Sequence, residues 1–328
     1  MKRLAVLTSG GDAPGMNAAI RASVRKALYC GARIYGINRG YYGLIHEEIA
    51  EMDSAQVGDI VHRGGTILHS ARSEEFKTEA GLQIAVSQLK KYEIDGLIVI
   101  GGDGSFRGAI SLMHRGVNVI GIPASIDNDI GGTDNAIGFD TAVNTVLDAV
   151  NKLRDTASSH AKISVLEVMG RNAGCIALTA GLAGGADAVF IPERPVDLEA
   201  VAQQIKERYQ RGKNHSIIIV AEGCLDNAAS GESSAYQVAR SITIKTGYET
   251  RLTVLGHIQR GGTPSAHDRV VATMSGAKAV ELLLAGESGK MVGFQGQDLR
   301  IVNLEQSHAL GYPIDFEMAN LINIMSVT

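Results

Sequence analysis

Residues 97–105 read Leu-Ile-Val-Ile-Gly-Gly-Asp-Gly-Ser, an apolar run rich in β-branched side chains that stops at a glycine-rich turn. A short continuous run of this kind is typical of a strand covered on both faces of a sheet. Segments of helical period separate it from similar runs, as at Val143, Val146, Val150 and Leu153. Strands that alternate with helices predict mainly parallel, doubly wound sheets. The other runs are residues 4–7, 34–37, 117–122, 163–168, 188–191, 217–221 and 252–255.

The chain has 328 residues, and domains typically hold roughly 100 to 200 residues. We therefore predict two doubly wound, mainly parallel α/β/α domains with the active site in the cleft between them. No Pro- or Ser-rich linker marks a boundary, so we place the crossings near Thr141, at the start of a long helix, and near Leu255. The predicted domains are 1–140 plus 255–302, and 141–254 plus 303–328.

The composition argues against several functions. A net charge of −4 without long single-sign blocks provides no field that attracts nucleic acid or an acidic membrane, so local arginines have to bind any anionic ligand. Three distant cysteines without CxxC spacing are typical of buried side chains in a reducing compartment, not of a redox or metal site.

The uncharged stretch 173–186 is shorter than the roughly 20 residues of a membrane span. The apolar stretch at 4–7 is too short for a secretory signal. We expect a soluble, cytoplasmic protein.

Two glycine-rich loops follow predicted strands, which is where ligands bind in open α/β sheets. Residues 8–15 (TSGGDAPG) let backbone N–H groups approach a phosphate at the start of an Ala-rich helix. The loop Gly101–Ser105 matches neither the dinucleotide fingerprint nor a Walker lysine loop. Its carboxylate, Asp103, fits either a nucleotide phosphate with Mg²⁺ or a helix cap, and both interpretations stay open.

An acidic loop follows a third predicted strand. Residues 123–129 read PASIDND and place Asp127 and Asp129 two positions apart. Two like charges this close cost free energy unless a cation or hydrogen bonds offset them. A solvated turn is the ordinary explanation of an Asp-x-Asp pair, but the position behind a buried strand favours a metal or catalytic site.

Basic residues lie in or beside the same class of loops. Arg72, Arg171, Arg251, His257 and Arg260 fit bidentate binding of phosphate groups. Other chemistries lack their motifs, because the sequence has no HExxH, no Gly-x-Ser-x-Gly and no metal-spaced histidine cluster. Phosphoryl transfer remains, since it needs positioning, charge neutralisation, Mg²⁺ and one base.

Five specific motifs occur in order: residues 7–17 (LTSGGDAPGMN), 101–105 (GGDGS), 126–129 (IDND), 168–171 (VMGR) and 256–262 (GHIQRGG). With them the chain closely resembles the bacterial 6-phosphofructokinases, from Leu4 to about Val292. The resemblance implies ATP-dependent phosphorylation of D-fructose 6-phosphate at the C1 hydroxyl, which gives fructose 1,6-bisphosphate and ADP in glycolysis. It also implies Mg²⁺, a homotetramer, a nucleotide-binding first domain and a sugar-phosphate-binding second domain. We expect no nucleic-acid or membrane partner.

The family resemblance assigns roles to the acidic loop. Asp127 is expected to take the proton from the C1 hydroxyl as that oxygen attacks the γ-phosphoryl group, and Ser125 to position the transferring group. Asp103 is expected to hold Mg²⁺, with Asp129 nearby. Family members commonly have Gly-Thr where this chain has Ala124-Ser125, so the hydroxyl is retained.

The same resemblance assigns the nucleotide contacts. Arg72, Arg171 and the backbone of Gly11 are expected to stabilise the transferring group. Gly104 and Ala124 favour ATP, because pyrophosphate-dependent relatives commonly have Asp and Lys there. The expected nucleotide contacts are Gly11, Tyr41, Arg72, Gly102, Asp103, Gly104, Ser105 and Gly108.

For the sugar phosphate, Lys162 stands where the family usually has Arg. In the family, this residue and Arg251 reach in from a neighbouring subunit. Lysine keeps the charge but loses the planar fork of arginine, which predicts weaker sugar-phosphate binding. The expected substrate contacts are Ser125, Asp127, Lys162, Met169, Gly170, Arg171, Glu222, Arg251, His257 and Arg260.

A second site of the family binds ADP or phosphoenolpyruvate between subunits. Here Ser54 replaces an Arg, Ala55 an aromatic residue and Asp187 a metal-binding Glu, which predicts weak or altered allostery. The polar stretch Cys224–Tyr236 looks like an insertion without an assigned role. The expected effector positions are Arg21, Arg25, Arg154, Gly185, Asp187, Arg211, Lys213 and His215.

Three alternatives stay open: a pyrophosphate-dependent phosphofructokinase, a kinase of another acceptor, and a non-catalytic nucleotide sensor on the same fold. NAD and lipid kinases share Gly-Gly-Asp-Gly loops but lack the joint motifs at 126–129 and 256–262. A sensor predicts a lost base or a lost transition-state arginine, yet Asp127, Arg72 and Arg171 are all present.

Overall fold

The chain forms two compact units. Unit 1 comprises Met1–Thr141 and Arg260–Tyr312, and unit 2 comprises Ala142–Gln259 and Pro313–Thr328. Residues 226–231, within the predicted polar insertion, lie outside the part of the chain that is described. The computed structural model describes residues 1–225, 232–310, 312 and 314–326.

Each of the eight apolar runs of the sequence overlaps a strand, although residues 117–118, 191 and 255 of the predicted runs lie outside the strands. A further three strands, at 49–51, 290–295 and 298–303, were not predicted. Within the described residues the strands are β1 (Arg3–Ser9), β2 (Arg33–Ile37), β3 (Ile49–Glu51), β4 (Gly96–Gly101), β5 (Val119–Pro123), β6 (Ile163–Val168), β7 (Ala188–Phe190), β8 (Ser216–Ala221), β9 (Thr250–Val254), β10 (Lys290–Gln295) and β11 (Asp298–Asn303).

The segments of helical period form helices, and no helix in the described ranges is long and apolar enough to cross a membrane. The helices are α1 (Met16–Tyr29), α2 (Gly40–Ile45), α3 (Glu79–Lys91), α4 (Asp103–Met113), α5 (Phe139–His160), α6 (Cys175–Ala183), α7 (Leu198–Gln210), α8 (Ser234–Thr246), α9 (Ala266–Leu284), α10 (Leu304–Leu310) and α11 (Phe316–Ser326).

The described part of unit 1 contains a seven-stranded sheet in the order β11-β10-β5-β4-β1-β2-β3. Its inner strands are parallel, whereas β3 and β11 pair antiparallel at the edges. Helices cover β1, β4 and β5 on both faces, which explains their continuous apolar sequences. Ser9 pairs with Gly101, and Gly101 pairs with Pro123, so β1, β4 and β5 end at the same level.

The described part of unit 2 contains a four-stranded parallel sheet in the order β7-β8-β6-β9. Val168 pairs with Ala221, and Glu167 pairs with Val254. The loops that follow β6, β8 and β9 therefore start beside one another at the carboxyl edge of this sheet.

The domain division differs from the prediction in two places. Residues 303–310 were assigned to the second domain but lie in unit 1, because β11 pairs with β10 as far as Asn303 and α10 then packs on α4. The return into unit 1 is at Arg260 and not at Leu255. As an antiparallel edge strand, β11 has no long apolar run, so the sequence did not reveal this extension.

Candidate active site

Three loops meet at the carboxyl ends of β1, β4 and β5 in unit 1. The strand order reverses between β1 and β4, since β2 lies on one side of β1 and β4 lies on the other. Such a reversal opens a crevice at the carboxyl edge of a doubly wound sheet, and ligands bind there. The three loops begin at Gly10, Gly102 and Ala124, which are the loops that the sequence singled out.

Glycines let these loops approach each other. A Cβ on Gly101 would lie 2.5 Å from Ser105 Oγ, and one on Gly10 would lie 3.2 Å from the same atom. A Cβ on Gly102 would lie 3.8 Å from Ala124 O in the third loop. Side chains at Gly10 or Gly101 would displace Ser105, whereas a Cβ on Gly102 would make an ordinary contact with the third loop. The glycines at 10 and 101 therefore let the first loop approach the start of α4, where backbone N–H groups can bind an anion.

Tyr41 packs against the first turn of α4. Its side chain is buried, its hydroxyl donates to Ser105 O at 2.6 Å, and its ring stacks on Phe76 with centroids 4.0 Å apart. Burial raises the pKa of the Tyr41 phenol. A Cβ on Gly108 would lie 2.6 Å from the Tyr41 ring. The predicted nucleotide contacts Tyr41, Ser105 and Gly108 therefore lie together, and Phe76 is a partner that the sequence did not reveal.

In the acidic turn, the Ser125 hydroxyl hydrogen-bonds the backbone of Asp127 and the carboxylate of Asp129. The backbone N of Asp127 donates to Ser125 Oγ at 3.3 Å, and Ser125 Oγ donates to Asp129 Oδ1 at 3.2 Å. Asp127 is 3% exposed, whereas Asp129 is half-buried. The turn therefore combines a desolvated carboxylate with one that is accessible to a cation.

Asn128 fixes the shape of this turn. Its φ of 52° lies in the left-handed region, which Asn tolerates better than most side chains. Its Nδ2 donates to Asp134 O at 3.0 Å, and its Oδ1 accepts from the N of Ala136 at 2.7 Å. The amide thus joins the acidic turn to the segment that precedes α5.

The predicted metal ligands fit Mg²⁺ by their chemistry. Asp103 is the first residue of α4, and Arg107 Nε donates to its Oδ2 at 3.0 Å. The described residues contain no group of three His, Cys, Asp or Glu that could hold a metal. Mg²⁺ often uses one or two carboxylates together with substrate phosphates, and Asp103 and Asp129 provide such a pair. The i,i+4 spacing of Asp103 and Arg107 was readable from the sequence.

Arg260 lies on the first loop of unit 1. Its Nη1 donates to Asp12 O at 3.3 Å, and a Cβ on Gly11 would lie 2.5 Å from the same nitrogen. The predicted substrate residue and the predicted phosphate-binding backbone are therefore in contact. A cleft of about 430 Å³ in this unit is lined by Gly10, Gly11, Asp12, Gly65, Thr66, His69 and Ser70.

Two predicted nucleotide residues border open space. Arg72 is exposed, and no hydrogen bond or ion pair joins its guanidinium to the described residues. Gly104 is exposed, and a Cβ there would meet nothing within 4 Å. Both positions leave room for a ligand.

Unit 2 brings together a second group of predicted residues at the carboxyl edge of its sheet. The N of Arg171 donates to Glu222 Oε1 at 2.8 Å, and the N of Met169 donates to Gln259 Oε1 at 3.3 Å. Arg171 has a φ of 52°, and a Cβ on Gly223 would lie 1.9 Å from Arg171 O. The predicted contacts at this edge are Met169, Gly170, Arg171, Glu222 and His257.

Lys162 and Arg251 lie at the opposite, amino edge of the same sheet. Lys162 directly precedes β6, and Arg251 is the second residue of β9. Lys162 Nζ is 3.3 Å from Glu249 Oε1, and Arg251 forms an ion pair with the same oxygen. Six strand residues separate Lys162 from Met169, so the two are seven steps apart, roughly 23 Å at about 3.3 Å per residue. One chain therefore does not bring these two sets of predicted substrate residues together.

Asp187, a predicted effector residue, is the centre of a buried ionic cluster. Its carboxylate is 4% exposed, forms ion pairs with Arg208 and Lys213, and accepts from the N of Ile217 at 2.7 Å. The carboxylate is thus committed to internal partners. Arg208 is the member of the cluster that the sequence did not reveal.

The other predicted effector residues fall into two groups. Arg154 Nη2 donates to Gly185 O at 3.0 Å in unit 2, while Arg211, Lys213 and His215 follow α7. Arg21 and Arg25 are one turn apart on α1 in unit 1.

Comparisons with known proteins agree with this architecture. The sequence matches the family model described as Phosphofructokinase over residues 3–283. A relative from Brevibacillus brevis named ATP-dependent 6-phosphofructokinase is 53% identical over 327 residues, which is 100% of both chains. The structure of phosphofructokinase from Saccharomyces cerevisiae matches with a TM-score of 0.88 and 36% identity, and the match covers 100% of this chain but only 47% of the yeast chain. A pyrophosphate-dependent phosphofructokinase from Marinobacter aquaeolei shares the fold, with a TM-score of 0.84 at 22% identity over 97% of this chain and 86% of its own.

Glycine-rich loops, an acidic turn and arginines at the carboxyl edges of parallel sheets define an α/β protein suited to bind phosphate groups. The family model and the full-length relative make the assignment specific. The chain belongs to the phosphofructokinase family.

Proposed function

We propose that this chain is an ATP-dependent 6-phosphofructokinase. It transfers the γ-phosphoryl group of ATP to the C1 hydroxyl of D-fructose 6-phosphate and gives fructose 1,6-bisphosphate and ADP, as a step of glycolysis in the cytoplasm. The observation that carries the proposal is the acidic turn at Asp127 beside the glycine-rich loops after β1 and β4. The names of relatives that are 53% and 52% identical support the same donor and acceptor.

Asp127 is the proposed general base. Its carboxylate accepts the C1 hydroxyl proton while the C1 oxygen bonds to the γ-phosphorus and the bond to the ADP oxygen breaks. Ser125, which bonds both to the Asp127 backbone and to Asp129, supports the geometry of this turn. Arg72 and Arg171, together with the N–H of Gly11, are proposed to stabilise the charge on the transferring group.

Bound Mg²⁺ would supply further charge neutralisation at the phosphate oxygens. We assign Asp103 and Asp129 to hold it. Asp103 then exchanges its ion pair with Arg107 for the cation, and the exposed Arg107 side chain is free to turn toward solvent.

The sugar-phosphate site is proposed to include Arg260 and His257. Because Lys162 and Arg251 lie at the amino edge of the unit 2 sheet, we propose that they serve the substrate bound by a second copy of the chain. A homotetramer that binds ADP or phosphoenolpyruvate as effector follows the family pattern.

The open space at Gly104 supports ATP as donor. A Cβ there would meet nothing within 4 Å, so the backbone leaves room beside the phosphate loop for a nucleoside.

The pyrophosphate-dependent relative from Marinobacter aquaeolei shows the fold alone at 22% identity. A non-catalytic sensor is disfavoured because Asp127, Arg72 and Arg171 are all present.

The test is an initial-rate assay of the purified chain with fructose 6-phosphate, Mg²⁺ and either ATP or pyrophosphate, followed by ³¹P NMR of the product. We expect ATP-dependent formation of a phosphate ester at C1 and no turnover with pyrophosphate. Turnover with pyrophosphate alone, or phosphorylation at another carbon, would contradict the proposal.

A further inference from the structure

The side-chain amide of Asn17, the second residue of α1, makes all of its hydrogen bonds to one loop. Its side chain is 1% exposed, and its Nδ2 donates to Arg63 O at 3.0 Å and to Gly64 O at 3.1 Å. Its Oδ1 accepts from the N of Ile67 at 2.8 Å. A primary amide has two N–H donors and one carbonyl, so both donors and the acceptor of Asn17 are engaged. Asn17 is too buried to touch a substrate.

The loop that Asn17 binds has no regular structure of its own. Residues 52–74 contain neither helix nor strand, and irregular loops longer than about 12–15 residues are uncommon and usually functional. Backbone groups outside helices and sheets need other partners. Thr8, the last residue but one of β1, supplies one such partner, because its Oγ1 donates to His69 O at 2.8 Å, and it also contacts the loop side chain Thr66 with the two Oγ1 atoms 2.9 Å apart. The order of this loop therefore depends on side chains from β1 and α1.

The C-terminal end of the loop reaches the first glycine-rich loop. Ser70 Oγ donates to Gly10 O at 2.6 Å, and Arg72 follows two residues later. Residues 63–72 are called the Arg72 loop below. Asn17 binds the N-terminal part of this loop, Thr8 binds its middle, and Gly10 binds Ser70, two residues before Arg72.

The segment bound by Asn17 also touches the loop that carries Arg260. A Cβ on Gly64 would lie 2.3 Å from Gly262 O, so the two Arg-Gly-Gly-Thr sequences at 63–66 and 260–263 contact each other backbone to backbone. The Asn17 amide therefore fixes the backbone of residues 63–67. This segment precedes Arg72 in the sequence, and its Gly64 contacts Gly262 in the loop that follows Arg260.

We propose that Asn17 is a positioning residue for phosphoryl transfer that acts through the Arg72 loop. This inference rests on the proposed function, in which Arg72 stabilises the transferring group. Loss of the three hydrogen bonds leaves two carbonyls and one N–H without their partner and lets the loop take other conformations. Arg72 then spends less time in the reactive position, which lowers kcat and leaves ground-state binding of the sugar phosphate nearly unchanged.

The test compares Asn17→Ala with Ser23→Ala, a buried polar deletion on the same helix. Ser23 Oγ donates to Ala19 O at 2.9 Å and to Gly276 O at 3.4 Å, away from the Arg72 loop. For Asn17→Ala we expect kcat to fall about 10- to 100-fold, with the KM for fructose 6-phosphate within about threefold of wild type. Ser23→Ala is expected to keep the wild-type kcat. Equal kcat values for the two variants would overturn the proposal.

A double-mutant cycle tests the route of the effect. If Asn17 acts through Arg72, then Asn17→Ala lowers kcat by less than about threefold in an Arg72→Ala background. Multiplicative effects in the double variant would instead show an independent role and overturn the proposal. If Asn17→Ala does not fold, Asn17→Asp replaces it in both comparisons. That variant keeps the acceptor for Ile67 and loses both donors, so the same kcat loss is expected.

Amide hydrogen exchange separates this inference from the proposed function, because it needs no substrate. Asn17→Ala is expected to speed exchange at residues 63–72 and to leave α9 unchanged, whereas Ser23→Ala leaves residues 63–72 unchanged. Unaltered exchange at 63–72 in Asn17→Ala would refute the positioning role, whatever the activity. Absence of ATP turnover in the wild-type chain would refute the proposed function and leave the exchange result to decide the role of Asn17 in the loop.

Discussion

The guanidinium of Arg260 lies on the backbone of Gly11. Its Nη1 donates to Asp12 O at 3.3 Å, and a Cβ on Gly11 would come within 2.5 Å of that nitrogen. A residue proposed to bind the sugar phosphate and a backbone proposed to bind the transferring phosphoryl group thus share one contact. The backbone conformation at position 11 does not need glycine, and the atoms that a Cβ there would meet all belong to the Arg260 guanidinium.

Gly11→Ala is predicted to displace Arg260 without unfolding the chain. The nearest atoms belong to the far end of a flexible side chain, so the guanidinium moves and the fold stays. Loss of a charged hydrogen bond to substrate costs about 1.5–3 kcal/mol, so we expect the KM for fructose 6-phosphate to rise about 10- to 100-fold. Thermal unfolding is expected near the wild-type temperature. Adding Arg260→Ala to Gly11→Ala should have little further effect on KM, and independent effects of the two changes would contradict this explanation.

Lys162→Arg is predicted to lower the KM for fructose 6-phosphate. Arginine restores a planar fork that binds two phosphate oxygens at once, whereas the ammonium of lysine is a point charge. The pairing of Lys162 with Glu249 already orients the side chain. The matched control is Lys152→Arg, an exposed change on α5 that should alter neither the KM for fructose 6-phosphate nor the KM for ATP. An unchanged KM for fructose 6-phosphate in Lys162→Arg would sink the idea.

Allosteric control by ADP is predicted to be weak. The resemblance leads us to expect an Arg and an aromatic residue where this chain has Ser54 and Ala55, and Asp187 is paired with Arg208 and Lys213. Loss of a phosphate-binding arginine removes a charged hydrogen bond, which is worth about 1.5–3 kcal/mol. We expect a nearly hyperbolic dependence of rate on fructose 6-phosphate, and an ADP effect on half-saturation below about threefold. A strongly sigmoidal curve that ADP relieves would refute this prediction.

His215 is predicted to make stability depend on pH. Burial lowers the pKa of this imidazole below 6.5, and the charge of Lys213 lowers it further. The unfolded chain therefore binds the proton more readily than the folded chain, so the contribution of His215 to stability is present above pH 6.5 and is lost below it. Urea unfolding at fixed protein concentration should show a steeper loss of stability from about pH 7 to 5 in wild type than in His215→Gln. Identical slopes would contradict the assignment.

The strands were predictable because burial on both faces imposes a continuous apolar run, as at residues 97–100 in β4. The positions of the loops after β1, β4 and β5 then follow from the polarity of parallel strands. The sequence also allows the position of Lys162 to be predicted. Because Lys162 directly precedes a predicted strand, it lies at the amino end of that strand, opposite the loops at the carboxyl ends.

The remaining features depend on contacts between distant parts of the chain. Nothing in the local sequence indicates that the Asn17 amide binds residues 63–67, or that Gly64 meets Gly262. The edge strand β11 was missed for a different reason, since an antiparallel edge strand needs no continuous apolar run. A hydrogen bond between one polar side chain and a distant backbone group produces no periodic pattern in the sequence, so it cannot be predicted from such patterns.

The measurement that tests the central claim most directly is release of ADP by the purified chain with ATP, Mg²⁺ and fructose 6-phosphate. The variant Asp127→Asn is measured in parallel, with Asp148→Asn, an exposed change on α5, as matched control. We predict a wild-type kcat on the order of 1 to 10³ s⁻¹ and the same value for Asp148→Asn. For Asp127→Asn we predict a fall of about 10²- to 10⁴-fold. Wild-type turnover that survives unchanged in Asp127→Asn, or no sugar-dependent ADP release by the wild-type chain, would contradict the account.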